Sequence, residues 1–274
     1  MYGKTIELFL LNGNADSLIT AELSNWNGKA IKIPRTEVES CEREDIKGIG
    51  VYFLISQEED GTNSVYIGEA ENIKDRLIQH LRDFKSGKEE YYWNTALLFL
   101  GRDLNKALIR YLENRFVEIA KECQRYKILT KNTFKNTIIK ESHVASMEEF
   151  IDNVKILANT LGYKVLLPTP KPNEKTEYLY CKGKDSNAKG FISQGGFTVV
   201  KNSIIASTIT ESMKKHSYFN LRNSLLSEGI INNNQFERDY EFKSPSAASS
   251  VVLGKSSNGN TDWKTSKGKM LRDI

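Results

Sequence analysis

Two apolar, β-rich runs separated by a short polar loop constrain the fold of this 274-residue chain most strongly. The first is KGIGVYFLI at 47–55 and the second is VYIGE at 65–69, and the loop between them contains Gly61. A short connection that contains glycine predicts an antiparallel hairpin. The residues that follow, ENIKDRLIQHLRDF, repeat apolar positions with helical spacing and predict an amphipathic helix.

Strands and helices are also predicted on both sides of this hairpin. KTIELFLL at 4–11 and Ala30–Ile33 predict strands before it, and TALLFL predicts a strand after the first helix. The segment DLNKALIRYLENRFVEIAKE predicts a long helix with Asp103 as its N-cap. SMEEFIDNVKILANTLG predicts another helix, which Ser146 and Glu149 would open as a capping box.

The polar, proline-rich stretch PTPKPNEKTE at 168–177 is typical of a linker, and with the predicted elements it suggests four segments. We expect an N-terminal β segment at 1–46, a β-β-α-β-α domain at 47–140, a helix with the Pro-rich linker at 141–185, and a C-terminal domain at 186–274. The expected fold class is α+β. It would combine a small three-stranded mixed or antiparallel sheet and its flanking helices with the N-terminal β segment and a second, smaller α+β domain.

Charge and cysteine content narrow the function classes. The formal net charge of +4 permits a polyanionic partner without requiring one. Three isolated cysteines favour a reducing compartment over a disulfide framework, and three histidines give no zinc-type ligand cluster. The absence of a run of about 18 apolar residues predicts no membrane-spanning segment. We therefore expect a cytoplasmic protein.

Side chains that suit phosphodiester hydrolysis occur in the predicted hairpin and in the two predicted helices that follow it. Arg76 stands ten residues after Tyr66, and His80 lies at i+4 from Arg76 on the same helical face. A guanidinium can lower the pKa of a nearby phenol and can bind a phosphate with two hydrogen bonds. Glu113, on the long helix, is an acceptor-only carboxylate suited to one hard cation such as Mg²⁺.

Each of these residues has an ordinary structural interpretation when taken alone. A strand tyrosine such as Tyr52 or Tyr66 usually packs in a core or at a sheet edge. Glu113 would usually pair with Arg110 or Arg115 on its own helix. The functional interpretation therefore depends on all of the residues occurring in one order, on the expected elements.

In that order, GVY at 50–52 and YIG at 66–68 resemble the paired motif of the GIY-YIG nuclease family, with Val51 replacing isoleucine. Arg76, His80 and Glu113 occupy the positions at which that family has its arginine, its histidine or tyrosine, and its metal-binding glutamate. The β-β-α-β-α order also resembles the small core domain of the family. The resemblance implies that residues 47–140 form a nuclease domain.

The resemblance also implies roles for the matched residues. Tyr66 would act as general base or water-orienting phenol, Tyr52 would support it, and Arg76 would stabilise charge on the phosphoryl group. His80 would relay a proton or orient the tyrosine pair, and Glu113 would hold a single Mg²⁺ or Mn²⁺. No second acidic residue stands at a sequence spacing from Glu113 that is typical of paired metal ligands. The substrate-contacting residues expected from the sequence are Gly68, Lys74, Asn132, Trp263 and Lys264.

Two of these substrate contacts carry alternatives. Asn132 is the nearest candidate for a supporting asparagine seen in many members of the family, and Asn136 is the next. Trp263 would either stack on a base or close a core. Gly68 would let the substrate backbone approach closely.

The segment SPSAASSVVLGKSSNGNTDWK at 244–264 resembles an uncharacterised C-terminal domain that is often fused to GIY-YIG nucleases. It is also similar to a related module found with restriction–modification enzymes, and both resemblances imply contact with DNA. We therefore expect a metal-dependent DNA endonuclease related to restriction or defence, which would need a homodimer or two encounters to cut both strands. Two alternatives stay open: a catalytically silent protein that binds DNA or senses its modification, and a structure-specific repair nuclease.

Overall fold

The computed structural model describes residues 2–57, 63–131 and 138–274, and it divides the chain into two compact units after Pro168. This division falls at the start of the stretch PTPKPNEKTE. Both units combine helices with mainly antiparallel sheets, so the predicted α+β class is confirmed. Gly61, Asn132 and Asn136 lie outside the described residues. No helix in the described part of the chain is long and apolar enough to cross a membrane.

The first unit is built on one seven-stranded sheet, counted over its described residues. Its strands are β1 (Ile6–Leu10), β2 (Ile19–Leu23), β3 (Gly28–Pro34), β4 (Gly50–Gln57), β5 (Asn63–Ala70), β6 (Thr95–Gly101) and β7 (Lys127–Ile128). Its helices are α1 (Ile73–Lys85), α2 (Lys106–Cys123) and α3 (Glu141–Thr160), and Arg35–Glu37 and Asp45–Lys47 form short 3-10 turns.

The strand order of this sheet is β1-β2-β3-β6-β4-β5-β7. The predicted hairpin is present, because β4 pairs antiparallel with β5, whereas the β5–β7 pair is parallel. Strand β6 lies between β3 and β4 and pairs antiparallel with both. The segment 1–46 therefore does not stand apart: it supplies three strands to the sheet that also carries the hairpin.

Alternation of side chains along β4 sends its apolar residues into two cores. Tyr52 and Leu54 pack in the core that includes α1 residues such as Leu77. Val51 and Phe53 pack in the core formed with α2 and α3. The sheet is thus covered by helices on both faces, which explains why β4 reads as a continuous apolar run.

Two helix starts differ from the sequence prediction. The N-cap of α2 is Asn105, whose side chain accepts hydrogen bonds from the backbone of Ala107 and Leu108, and not Asp103. Helix α3 starts five residues before Ser146, and the Ser146 hydroxyl bonds the Ser142 carbonyl inside the helix. The predicted capping box is therefore wrong, because the pattern also fits the exposed face of a continuing helix.

The second unit contains a four-stranded sheet of order β13-β10-β9-β8 and a separate β11–β12 pair among its described residues. The strands are β8 (Leu179–Lys182), β9 (Asn187–Ser193), β10 (Gly196–Val199), β11 (Ile231–Asn232), β12 (Gln235–Phe236) and β13 (Tyr240–Phe242). The helices are α4 (Glu211–Lys214), α5 (Ser217–Ser227), α6 (Pro245–Leu253) and α7 (Gly259–Asp262), followed by a 3-10 turn at Leu271–Asp273.

Helix α6 has the ends that its sequence predicts. The Ser244 hydroxyl accepts a hydrogen bond from the Ala247 amide, and Pro245 occupies the first turn. Gly254 ends the helix at a φ of 64°, a left-handed conformation that glycine adopts without a Cβ clash. Strand β8 precedes the expected domain start at residue 186, yet it pairs with β9 and so belongs to this unit.

Candidate active site

A cleft of about 460 Å³ opens where the first unit brings β4, β5, α1 and α2 together. Tyr52, Tyr66, Arg76 and Glu113 are among the residues that line it. Four of the five residues predicted to be catalytic are thus collected around one cavity, which we call the β5–α1 cleft. His80, the fifth, is 1% exposed and does not belong to its lining.

The two motif tyrosines meet above Gly68. Tyr52 is directly opposite Gly68 in the β4–β5 ladder, and the Tyr52 and Tyr66 rings stack with centroids 6.3 Å apart. A Cβ atom on Gly68 would lie 2.5 Å from the Tyr52 hydroxyl oxygen and 2.9 Å from Tyr66 Cε1. Gly68 is therefore needed to make room for two aromatic rings, whereas the sequence prediction assigned that space to the substrate.

Tyr52 is buried and held by polar contacts at its hydroxyl group. Arg76 Nε donates a hydrogen bond to the Tyr52 oxygen across 3.3 Å, and His80 Nε2 lies 2.9 Å from the same oxygen. Burial, and then the neighbouring Tyr66, raise the pKa of Tyr52 well above its ordinary value. Tyr52 is therefore a neutral phenol at any physiological pH. Tyr66 is only partly buried, so it is the tyrosine that can meet a solvent molecule in the cleft.

Arg76 lies in the first turn of α1, where the local sequence aims it back at the strand end. The helix is capped by Asn72, whose side chain accepts a hydrogen bond from the Asp75 amide. Arg76 Nη1 donates to Gln79 across 2.6 Å, while its Nε is bonded to Tyr52. The guanidinium is thus held at two of its nitrogens, and it lies along the wall of the cleft.

His80 lies behind the tyrosines. Its Nδ1 is 2.6 Å from Glu89 Oε1 and 3.5 Å from the Tyr91 hydroxyl. Burial, followed by the positive charges of Arg76 and Arg35, lowers the pKa of His80 and keeps the imidazole neutral. Sequence analysis missed Glu89 and Tyr91, which lie in the coil after α1, where no periodic pattern indicates which side chains turn inward.

Glu113 carries the least satisfied polar group of the cleft. Its Oε2 atom is buried and has no hydrogen-bond partner among the described residues. Burial, and then the negative charge of Glu69, raise the pKa of Glu113 to about 7. Glu69 lines the same cleft, so the structure supplies the second acid that sequence spacing did not reveal. Glu69 itself pairs with Lys106, whose Nζ lies 3.0 Å from Oε2.

The donor set at Glu113 fits a lightly coordinated divalent cation. In the described ranges, no cluster of three or more His, Cys, Asp and Glu side chains could hold a metal ion by itself. Mg²⁺ is usually bound by one or two carboxylates and keeps several of its waters. An orphaned, buried carboxylate oxygen that borders an open cleft meets that requirement, and Glu69 offers a second carboxylate nearby.

The predicted substrate contacts are placed less uniformly. Lys74 does not line the cleft, and its Nζ lies 4.0 Å from Glu42. In the second unit, Trp263 is fully buried: its ring packs 4.4 Å from that of Phe197, and its indole N–H donates to the Pro245 carbonyl. Stacking of Trp263 on a base is therefore wrong, and the alternative of a core tryptophan holds.

Lys264, the neighbour of Trp263, is exposed. Its backbone N–H and carbonyl pair with Tyr180, which fixes the main chain and leaves the ammonium group in solvent. This arrangement is compatible with a contact to phosphate, so the role predicted for Lys264 stays a prediction.

Comparison with known protein families gives a match within the second unit. Residues 179–274 match a family described as a domain of unknown function (DUF4357), and the match begins at the first residue of β8. This finding agrees with the predicted resemblance of the C-terminal segment to an uncharacterised domain. No curated protein and no solved structure matches the chain. The nuclease resemblance of the first unit stays a prediction.

Proposed function

We propose that the first unit hydrolyses DNA phosphodiester bonds in a reaction that depends on Mg²⁺ or Mn²⁺. The observation that carries the proposal is the convergence of Tyr66, Arg76 and Glu113 on one open cleft, with Tyr52 bonded to the arginine. A phenol, a guanidinium and a carboxylate are a sufficient set to orient water, stabilise phosphoryl charge and hold a cation.

Each residue of the cleft has its own role in the proposed hydrolysis. Tyr66 orients the attacking water, and as the new P–O bond forms the Tyr66 oxygen accepts the proton of that water and releases its own proton to solvent. Arg76 donates to the non-bridging phosphoryl oxygens while the P–O bond to the leaving group breaks. The leaving oxygen is then protonated by solvent. Tyr52 does not act as a base, since it is a buried phenol with a raised pKa, and it serves to orient Arg76.

The charge of the cleft lining supports the proposal of a bound cation. Four acidic and two basic side chains line the cleft, so a phosphodiester entering alone would meet excess negative charge. Glu113 would hold the cation, with Glu69, whose charge acts on Glu113, as a further carboxylate of the cleft. A divalent ion bound there would supply Lewis-acid stabilisation of the developing phosphoryl charge.

The second unit would contribute to DNA binding. From residue 190 onward the chain has 11 basic and 7 acidic residues, and Lys264 is one exposed member of the basic set. Lysines of this kind neutralise phosphates without reading base identity. The proposed enzyme would act in the cytoplasm, where its buried cysteines stay as free thiols. A second copy would be needed for concerted cleavage of both strands.

The proposal is tested by cleavage of a plasmid and of a mixed pool of modified and unmodified duplexes with Mg²⁺ or Mn²⁺. We expect Glu113→Gln to abolish nicking, and Glu118→Gln, an exposed glutamate on the same helix, to leave it unchanged. Equal cleavage by wild type and Glu113→Gln would remove the proposal. DNA binding without cleavage in any metal would favour the silent, modification-sensing alternative. Cleavage restricted to branched or flapped substrates would favour the repair alternative.

A further inference from the structure

A buried series of polar contacts leads away from the β5–α1 cleft and ends at Glu89. His80 connects its two ends, because Nε2 faces the Tyr52 hydroxyl at 2.9 Å and Nδ1 faces Glu89 Oε1 at 2.6 Å. Tyr52 and His80 are at most 1% exposed, and the side chain of Glu89 is 17% exposed. Contacts this short in a nearly dry environment require defined proton positions.

The contacts of Tyr52 determine where the protons lie. Arg76 Nε can only donate, so the Tyr52 oxygen accepts its hydrogen bond. Within the described part of the chain, the other polar partner of this hydroxyl is His80 Nε2, so the phenol proton points at that nitrogen. A neutral imidazole carries one N–H group. Since Nε2 accepts, the proton of His80 is on Nδ1, where it is donated to Glu89.

Glu89 has the surroundings of an accepting carboxylate. Burial, together with the negative charge of Asp83, raises the pKa of Glu89. A hydrogen bond from Tyr91 and the positive charges of Arg76 and Arg35 limit that rise by favouring the ionised form. Arg35 is kept nearby by an aromatic ring, because its guanidinium lies 4.6 Å from the centroid of Trp93. The Oε2 atom of Glu89 is buried and has no hydrogen-bond partner in the described residues. The Oε1 atom faces His80, so His80 is the main hydrogen-bond donor to the Glu89 carboxylate besides Tyr91.

We propose that Glu89 is a positioning residue that holds His80 as the Nδ1–H tautomer and thereby fixes the proton of Tyr52 away from the cleft. Tyr52 then presents only lone pairs towards Arg76, which keeps the guanidinium turned to the cleft wall. The catalytic consequence rests on the hydrolysis proposed above. The tautomer does not, because it is measured without substrate or metal.

The test is ¹⁵N NMR of the three histidines in the full chain, with His80 assigned by loss of its signals in His80→Gln. In wild type we expect a protonated Nδ1 and an unprotonated Nε2 for His80. In Glu89→Ala the preference should be lost, and in Glu89→Gln, which keeps the shape but not the charge, the Nε2–H form should become populated. Glu90→Ala, which changes the exposed neighbouring glutamate, should keep the wild-type pattern.

A protonated Nε2 in wild type, or an unchanged pattern in both Glu89 variants, would overturn the proposal. Once cleavage by wild type is established, a second measurement compares its rate with that of Glu89→Gln. The variant should cleave DNA roughly 10- to 100-fold more slowly at an unchanged KM for DNA. Equal rates would also overturn the positioning role, even with an altered tautomer. If wild type does not cleave DNA at all, the proposed function fails, and the NMR result still decides the role of Glu89.

Discussion

Glu69 and Glu113 line the same cleft, and the charge of Glu69 adds to burial in raising the pKa of Glu113 to about 7. The two glutamates are satisfied differently. Glu69 is paired with Lys106 at 3.0 Å, whereas Glu113 has a buried oxygen without a partner in the described residues. Glu69 therefore belongs to an ion pair, whereas Glu113 is available to a cation. The raised pKa of Glu113 can be detected through the pH dependence of stability.

The first prediction is that Glu113 makes the metal-free protein less stable as the pH rises. The unfolded carboxyl has a pKa of 4.5 and the folded one about 7, so the folded state binds more protons between these values. The stability contributed by Glu113 is thus present below about pH 4.5 and is lost as the pH rises towards about 7. The loss is at most about 3 kcal/mol, and nearer 1–2 kcal/mol in a cleft open to water.

Urea unfolding in EDTA at about pH 4.5 and about pH 8 measures this effect. Glu113→Gln should lack the Glu113 part of the slope, and Glu118→Gln should follow wild type. Mg²⁺ should restore stability at the higher pH in wild type but not in Glu113→Gln, because the ligand must be deprotonated to bind metal. Identical pH dependence in wild type and Glu113→Gln would contradict the raised pKa.

The second prediction concerns Arg76, which is held through Nε to Tyr52 and through Nη1 to Gln79. Arg76→Lys keeps the charge but cannot make these contacts together with a forked contact to phosphate. Cleavage should fall by about 10²- to 10³-fold, in the range found for the loss of one transition-state donor. Arg82→Lys, on the exposed face of the same helix, is the control and should cleave normally. Comparable rates for the two variants would show that the fork of Arg76 is not used.

The third prediction is that Gly68→Ala damages both stability and activity. The added methyl group would lie 2.5 Å from the Tyr52 hydroxyl oxygen, so the rings or the strand must shift. We expect a loss of about 1–3 kcal/mol on thermal or urea unfolding, as for other overpacked sites, together with slower cleavage. Gly3→Ala, at a position with open space around it, should be neutral. A stable and fully active Gly68→Ala protein would mean that the tyrosine pair can move freely.

The fourth prediction separates the structural role of Trp263 from a role in DNA binding. Trp263→Ala should destabilise the protein by about 3–5 kcal/mol, because a fully buried indole is removed. Trp263→Phe removes the hydrogen bond to Pro245, costs about 1 kcal/mol for that bond, and should leave DNA affinity unchanged. Fluorescence anisotropy with a labelled duplex checks the affinity. A folded Trp263→Phe protein with clearly weaker binding would contradict a purely internal tryptophan.

The sequence was informative where local chemistry decides the structure. The hairpin, α1 and the caps of α6 follow from turn residues, periodicity and capping, and these are local properties. The return of Arg76 towards the end of β5 was anticipated, because Arg76 follows Tyr66 across one strand-to-helix connection. Its hydrogen bond to Tyr52 was not anticipated, because Tyr52 lies on the neighbouring strand β4. Glu69 and Glu89 were missed because their roles depend on which distant side chains surround them. Strand order was missed for the same reason, since no local pattern in the segment 1–46 names β6 as its partner.

The place of β6 between β3 and β4 has a consequence for any attempt to isolate the site as a minimal fragment. A piece starting at residue 47 would keep every motif residue but would strip β6 of its ladder with β3 along its full length. It would also uncover the apolar side chains that Ala30 and Ile31 now protect on the two faces of the sheet. In such a fragment β6 would become an exposed edge strand with unpaired backbone groups, which is prone to aggregation. We therefore expect autonomous folding only from a piece that retains the strands preceding the tyrosine motifs.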